Sequence, residues 1–155
     1  MRKMSILKTS LVLSMVMIVC SAGIVAQSQG SQGNMIHVDV EGLRSDRGQV
    51  LCALFSSAAD FPKKTDQAVA HAKSEILGRR ATCEFQGVPP GTYAISVFHD
   101  ENSNGKLDTN FMGIPREGVG ASNNAKGHFG PPKFSAAAFQ HLGGQTNMRI
   151  CINYL

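Results

Sequence analysis

The sequence lacks several features that identify common classes of protein. Its 155 residues contain no tryptophan and only two tyrosines, while 43% are hydrophobic and 17% are charged. The histidines have no metal-ligand spacing, the cysteines form no Cys-x-x-Cys pair, and the serines form no Gly-x-Ser-x-Gly elbow. No phosphate-binding loop of the Gly-x-x-x-x-Gly-Lys type is present. The length suits one globular domain, and no catalytic motif is recognisable in it.

Residues 1–26 have the pattern of a secretory signal peptide. Basic residues near the start precede an apolar run over residues 11–19, and small residues follow as far as Ala26. The run is shorter than the roughly 20 residues that a membrane span requires, and polar residues follow directly. We therefore expect cleavage between Ala22 and Ala26, no membrane span afterwards, and a periplasmic or secreted protein. An uncleaved membrane anchor is the alternative.

Loss of this leader changes the charge of the chain. The full chain has a formal charge of +4, and removing Arg2, Lys3 and Lys8 leaves 12 basic and 11 acidic residues, or +1. The remaining sequence has no basic patch that would argue for nucleic acid or an anionic membrane as a partner, and we expect no binding to nucleic acid.

Three cysteines remain after the leader is removed: Cys52, Cys83 and Cys151. In an exported protein they permit at most one internal disulfide and leave one thiol over. Small buried apolar thiols without any disulfide are an equally good interpretation.

The hydrophobic pattern predicts an all-β fold. Strands are expected at residues 36–41, 49–55, 81–85, 93–99, 138–142 and 146–154. Residues 60–78 predict a helical turn or a loop, and no long helix is expected. Turns separate the strands, so the sequence predicts an antiparallel β-sandwich over residues 36–155. The Pro-Pro-Gly-Thr-Tyr-Ala turn at residues 89–94 resembles that of prealbumin-like domains, which implies an immunoglobulin-like or prealbumin-like sandwich. A flexible segment at residues 27–35 precedes it.

A long Gly-rich segment from Asp100 to Lys133 contains the strongest local motif, Asp-x-Asn-x-Asn-Gly-x-x-Asp. Oxygen side chains at alternate positions and a glycine at the sixth are what a calcium-binding loop requires. The expected ligands are Asp100, Asn102, Asn104, the backbone carbonyl of Lys106, and Asp108. The twelfth position is Phe111 instead of the bidentate glutamate of an EF-hand, so Glu117 or a carbonyl would complete a weak site. A tight turn stabilised by Asx hydrogen bonds, without metal, is the alternative.

The residues on both sides of this motif resemble a known family. The run Phe-Gln-Gly-Val-Pro-Pro-Gly-Thr-Tyr-Ala precedes the motif, and Gly-Ile-Pro, Glu-Gly, Ser-Asn-Asn-Ala and Phe-Gly-Pro-Pro-Lys-Phe follow it in order. Together they closely resemble the domain-of-unknown-function 2141 family of exported bacterial proteins, over roughly residues 36–154. The resemblance implies a secreted or periplasmic β-sandwich and no established activity.

The first functional hypothesis is a non-enzymatic binding or structural module of the cell envelope. Its partner would be an unknown envelope protein or a small ligand. Phe111, Phe129 and Phe134 of the Gly-rich segment would form a contact surface, or would pin the segment to the sandwich. We expect pinning for at least two of the three.

The alternative hypothesis is a hydrolase-like enzyme with a site around His99, Asp100 and Glu117. It requires His99 to be exposed in a cleft, beside a carboxylate whose pKa is perturbed. A buried His99 that is hydrogen-bonded to the backbone would contradict it.

Overall fold

The computed structural model describes residues 33–155 as a two-sheet β-sandwich, which confirms the predicted all-β fold. The strands are β1 (Met35–Glu41), β2 (Gln49–Phe55), β3 (Ala70–Ser74), β4 (Ala81–Gln86), β5 (Gly91–Asp100), β6 (Gly118–Ala121), β7 (Phe139–His141) and β8 (Gln145–Cys151). The predicted signal peptide and most of the predicted flexible segment lie outside the described residues. Within residues 33–155 there is no helix long and apolar enough to cross a membrane.

The smaller sheet has the strand order β4-β1-β8, and the larger has the order β3-β2-β5-β6, with β7 paired to the start of β5. The pairs are antiparallel except β1 and β8, which run parallel from Met35 opposite Gln145 to Glu41 opposite Cys151. The expected turn at Gly143 leads from β7 in the larger sheet to β8 in the smaller one. It therefore changes sheets instead of closing a hairpin, and the sandwich is not wholly antiparallel.

The core lies between the sheets because alternate residues of each strand point inward. Ile36, Val38 and Val40 of β1 are almost completely buried, and Ile95 and Val97 of β5 face them from the larger sheet. Burying such a side chain contributes roughly 1.5–3 kcal/mol. The alternation that predicted these two strands is therefore the pattern that builds the core.

A disulfide joins the two sheets through this core. Cys52 of β2 and Cys83 of β4 are both buried and are covalently linked, while Cys151 is a free, partly exposed thiol. This is one disulfide with one thiol left over, as the count of three cysteines allowed.

Two strands lie in segments where the sequence predicted no strand. In β3 the inward positions are the half-buried Ala70 and Ala72, so its hydrophobic alternation is weak. Before it, a short helical turn occupies Thr65–Gln67. In β6 the inward positions are Gly118 and Gly120, where a Cβ atom would collide with side chains in β8 and directly after it. Because glycine occupies the inward positions, β6 shows no hydrophobic alternation in the sequence.

A second apolar cluster covers part of the outer face of the larger sheet. Phe55 and Ala94 of that sheet contact Phe61, and Phe134 packs on Phe61 with ring centroids 5.9 Å apart. Phe134 belongs to the single-turn helix α1 (Phe134–Ala137) near the end of the Gly-rich segment. Phe134 therefore pins this part of the segment to the sandwich, as expected.

Candidate functional site

The predicted metal ligands all lie at or after the end of β5, in the connection to β6. We call residues 101–117 the β5–β6 loop. The two strands are antiparallel neighbours, and His99 lies opposite Gly118, so the ends of the loop are adjacent. A loop of this length between neighbouring strands requires its own stabilising contacts, because the strands hold only its two ends.

Asp100, the last residue of β5, directly precedes the loop and is fully buried. Its Oδ1 accepts the Asn104 N–H at 3.0 Å, and its Oδ2 accepts the Gly105 N–H at 2.8 Å and a donor from the Gln49 side chain at 2.7 Å. Gly105 has φ of +77°, which turns the chain back towards the carboxylate. Asp100 therefore holds the first turn of the loop by accepting backbone hydrogen bonds.

Glu117 closes the loop from its other end and is almost completely buried. Its Oε1 accepts the Glu101 N–H at 2.9 Å, and its Oε2 accepts the Asp108 N–H at 3.0 Å. Hydrogen bonds to a charged acceptor are the stronger kind, and here both oxygens make one. Glu117 was expected as a supplementary metal ligand, but its contacts give it a structural role in the loop.

Asn102, Asn104 and Asp108 interact with one another. The Nδ2 groups of Asn102 and Asn104 donate to the two carboxylate oxygens of Asp108 at 2.7 and 3.1 Å. Their Oδ1 atoms accept the N–H groups of Asn104 and Lys106 at 3.1 and 2.7 Å. These are the Asx hydrogen bonds that the metal-free alternative predicts.

The residue types of this loop fit calcium, but the present orientation of the two asparagine side chains does not. Calcium requires the Oδ1 atoms of Asn102 and Asn104, yet their donor groups face Asp108. Among residues 33–155 no group of three or more His, Cys, Asp or Glu residues has the arrangement of a metal site. If calcium binds, Asp100, Asn102, Asn104, Lys106 and Asp108 would hold it and it would crosslink the loop. Calcium binding stays a prediction.

His99, the proposed catalytic histidine, is fully buried. Its Nε2 lies 2.7 Å from the Arg47 carbonyl oxygen, so it donates there, and its Nδ1 accepts from the Tyr154 hydroxyl at 2.7 Å. Asp100 and Glu117 are meanwhile engaged by backbone N–H groups. The three residues do not form the exposed cleft that the hydrolase hypothesis requires, because both ring nitrogens of His99 have structural partners.

An ion pair beside His99 was missed by the sequence analysis. The Arg44 Nε donates to Glu101 Oε1 at 2.6 Å, a second guanidinium nitrogen donates to Oε2, and the Arg44 guanidinium stacks 4.5 Å from the centre of the Tyr154 ring. The hydrogen bond from Arg44 lowers the pKa of the Glu101 carboxyl, and burial raises the pKa of the Tyr154 hydroxyl. These residues are far apart in the sequence, so no local pattern could have joined them.

Residues 108–116 fold into a small hairpin within the β5–β6 loop. Thr109 pairs with Pro115, and the Asn110 N–H donates to the Ile114 carbonyl at 2.9 Å. The Asn110 side chain accepts the N–H groups of Met112 and Ile114 at 2.9 and 3.0 Å. The end of the hairpin is therefore held in one conformation by its own hydrogen bonds.

Large apolar side chains protrude from this hairpin. The side chains of Phe111, Met112 and Ile114, which we call the apolar tip, are 94%, 64% and 40% exposed. Phe129, in the following Gly-rich stretch, is also fully exposed. The expectation that at least two of the three phenylalanines pin the segment is therefore wrong, because only Phe134 does so.

A shallow groove on the outer face of the larger sheet is a second candidate. Leu51 and Phe98 form its floor, His71 and Lys73 of β3 line one side, and Gly105 lies at another. Within the described part of the chain, no buried side-chain polar atom lacks a hydrogen-bond partner, so none is available to a ligand here. The groove therefore supports no specific assignment.

Comparison with known proteins identifies a family and assigns no activity. No curated protein and no solved structure matches the chain. Residues 38–149 match a bacterial family, which covers β1 to most of β8 and includes the whole β5–β6 loop. The chain therefore belongs to the DUF2141 family, described as an uncharacterized protein conserved in bacteria.

Proposed function

We propose that the protein is a non-enzymatic binding or structural module of the bacterial cell envelope, and that it makes contact through the apolar tip. The observation that carries this proposal is the exposure of Phe111 and Met112 on a loop that is otherwise closely hydrogen-bonded. Burying adjacent exposed apolar side chains against a partner is favourable, because it removes apolar surface from water.

The hydrogen bonds of the loop favour a role in binding. Asp100 and Glu117 fix its two ends, and Asn110 fixes the hairpin end. A contact surface that is already ordered loses less conformational entropy when a partner binds. The loop therefore presents Phe111 and Met112 in a form that suits recognition.

Two further features support the envelope as the location. The leader pattern at residues 1–26 predicts export, and the Cys52–Cys83 disulfide is of the kind that persists in oxidising compartments. The alternative of a hydrolase lacks support from the structure, because the histidine that it requires, His99, is buried.

The test is photo-crosslinking in intact cells. The full chain, with its leader, would carry a photoreactive phenylalanine analogue at Phe111, and separately at Leu142, which is also exposed and apolar but lies in the turn between β7 and β8. We expect adducts with envelope components from position 111 and a much lower yield from position 142. Equal yields from both positions, or an unprocessed chain in the cytoplasm, would contradict the proposal.

A further inference from the structure

We propose that the apolar tip inserts into the interface of an anionic lipid bilayer and docks the module on a membrane surface. This inference rests on the proposed function and names its partner. Phe111, Met112 and Ile114 would occupy the boundary between headgroups and acyl chains, where aromatic and aliphatic side chains are favourable. Leu142, another exposed apolar residue among residues 33–155, has no large apolar neighbour in the sequence within its turn.

The charges around the tip favour a negatively charged surface. Lys106 and Arg116 are exposed on the two chain segments that lead into and out of the hairpin. The Arg116 N–H donates to the Asp108 carbonyl at 2.9 Å, which holds these two segments side by side. Basic residues beside an inserted apolar group are attracted to anionic headgroups.

The acidic residues of the same segment do not cancel this attraction at the surface. Asp100 and Glu117 are buried and accept backbone hydrogen bonds, and Asp108 is half-buried beneath two asparagine amides. The remaining carboxylate of the loop, Glu101, is paired with Arg44. A formal charge count over the whole chain gives these carboxylates the same weight as the exposed Lys106 and Arg116. The structure separates them, and this is why the sequence showed no basic patch.

The backbone of the hairpin is suited to a medium without water. Met112 and Ile114 donate to the Asn110 side chain, Gly113 donates to the Asn110 carbonyl at 2.9 Å, and Asn110 itself donates to the Ile114 carbonyl. An unpaired backbone N–H group is costly in the apolar part of a bilayer. The tip carries most of its N–H groups already paired, so insertion leaves few of them unsatisfied.

The experiment is vesicle co-sedimentation of the exported, leader-processed protein in buffer that contains chelator. The probes are vesicles of phosphatidylcholine with about one-third phosphatidylglycerol, and vesicles of phosphatidylcholine alone. We expect binding to the anionic vesicles that weakens as salt is added. The double variant Lys106→Gln, Arg116→Gln should weaken vesicle binding roughly thirtyfold, because each lost charge weakens it about fivefold and the two effects multiply. The double variant Phe111→Ser, Met112→Ser should weaken it at least roughly tenfold.

Two controls make the outcome decisive. Leu142→Ser removes an exposed apolar side chain elsewhere and should leave vesicle binding unchanged, and unfolding curves should be the same for all variants because these side chains are exposed. Anionic-vesicle binding that is absent, or that survives the tip variant, overturns the lipid inference. Crosslinks from position 111 to a protein, without vesicle binding, would overturn this inference and leave the proposed function intact.

Discussion

Glu117 holds Asp108 across the β5–β6 loop, because its Oε2 accepts the Asp108 N–H at 3.0 Å while its Oε1 accepts the Glu101 N–H at 2.9 Å. The carboxylate is almost completely buried, so these two donors stand in for the water that it loses. The side chain of the last loop residue, directly before β6, thereby fixes two earlier points of the loop.

Replacing Glu117→Gln should destabilise the fold although it changes little in size. The amide retains one acceptor oxygen but places an NH₂ group against one of the two backbone donors. We expect a loss of roughly 1–3 kcal/mol in the free energy of unfolding, measured by urea denaturation. The exposed Glu75→Gln should change it by no more than about 0.5 kcal/mol. Equal effects of both substitutions would show that Glu117 has no special role.

The Arg44–Glu101 ion pair should make stability depend on pH. Arg44 lowers the pKa of Glu101 below its ordinary value of 4.5, so the contribution is fully present above that value and is lost as pH falls through the lowered folded pKa. At neutral pH we expect Glu101→Gln to cost about 1 kcal/mol, since the pair is partly exposed. The difference between wild type and variant should shrink in acid, as followed by urea denaturation across pH. A difference that is constant with pH would contradict this.

The Cys52–Cys83 disulfide should contribute substantially to stability. It closes a segment with a sequence separation of 31 residues, for which the loss of chain entropy in the unfolded state is worth about 4 kcal/mol. The pair Cys52→Ala, Cys83→Ala should lower the free energy of unfolding by an amount of that order. Cys151→Ser should have little effect, and alkylation of the unreduced, unfolded, leader-processed chain, which lacks Cys20, should label Cys151 alone. Labelling of all three thiols would exclude the disulfide.

The parts of the fold that the sequence predicted are those in which side chains carry the information. Ile36, Val38 and Val40 alternate with polar residues, and β1 follows from them. The strands β3 and β6 were missed because alanine and glycine occupy their inward positions. The parallel pairing of β8 was missed because it depends on which sheet the chain enters after Gly143, and a local pattern does not specify that.

For the candidate site, the sequence predicted the location better than the chemistry. The Asp-x-Asn-x-Asn-Gly motif located the loop, but an oxygen that accepts a backbone N–H and one that binds a metal have the same sequence signature. The Arg44–Glu101 pair and the partners of His99 depend on contacts between distant segments. The exposure of Phe111 depends on the hairpin that Asn110 holds, and no local pattern showed which of the three phenylalanines would pin the segment.

Calcium binding is best tested at Asp108, because Asp100 also accepts backbone hydrogen bonds that any substitution would remove. If calcium binds, the Asn102 and Asn104 amides exchange their hydrogen bonds to Asp108 for metal ligation through oxygen. The site has few anionic ligands, so we expect a dissociation constant of about 10⁻⁴–10⁻³ M. At ten times that concentration, calcium should stabilise the protein by roughly 1.4 kcal/mol.

The measurement is a melting curve with calcium and with chelator, for the wild type, for Asp108→Ala, and for the control Asp66→Asn. Asp66 is an exposed carboxylate outside the loop, so its variant should respond to calcium as the wild type does. Calcium should raise the melting temperature of both and leave that of Asp108→Ala unchanged. If instead the Asx turn needs no metal, calcium will change the melting temperature of neither the wild type nor Asp108→Ala. Asp108→Ala will then be the less stable because it has lost the carboxylate that accepts from the Asn102 and Asn104 amides, and the calcium hypothesis will fail.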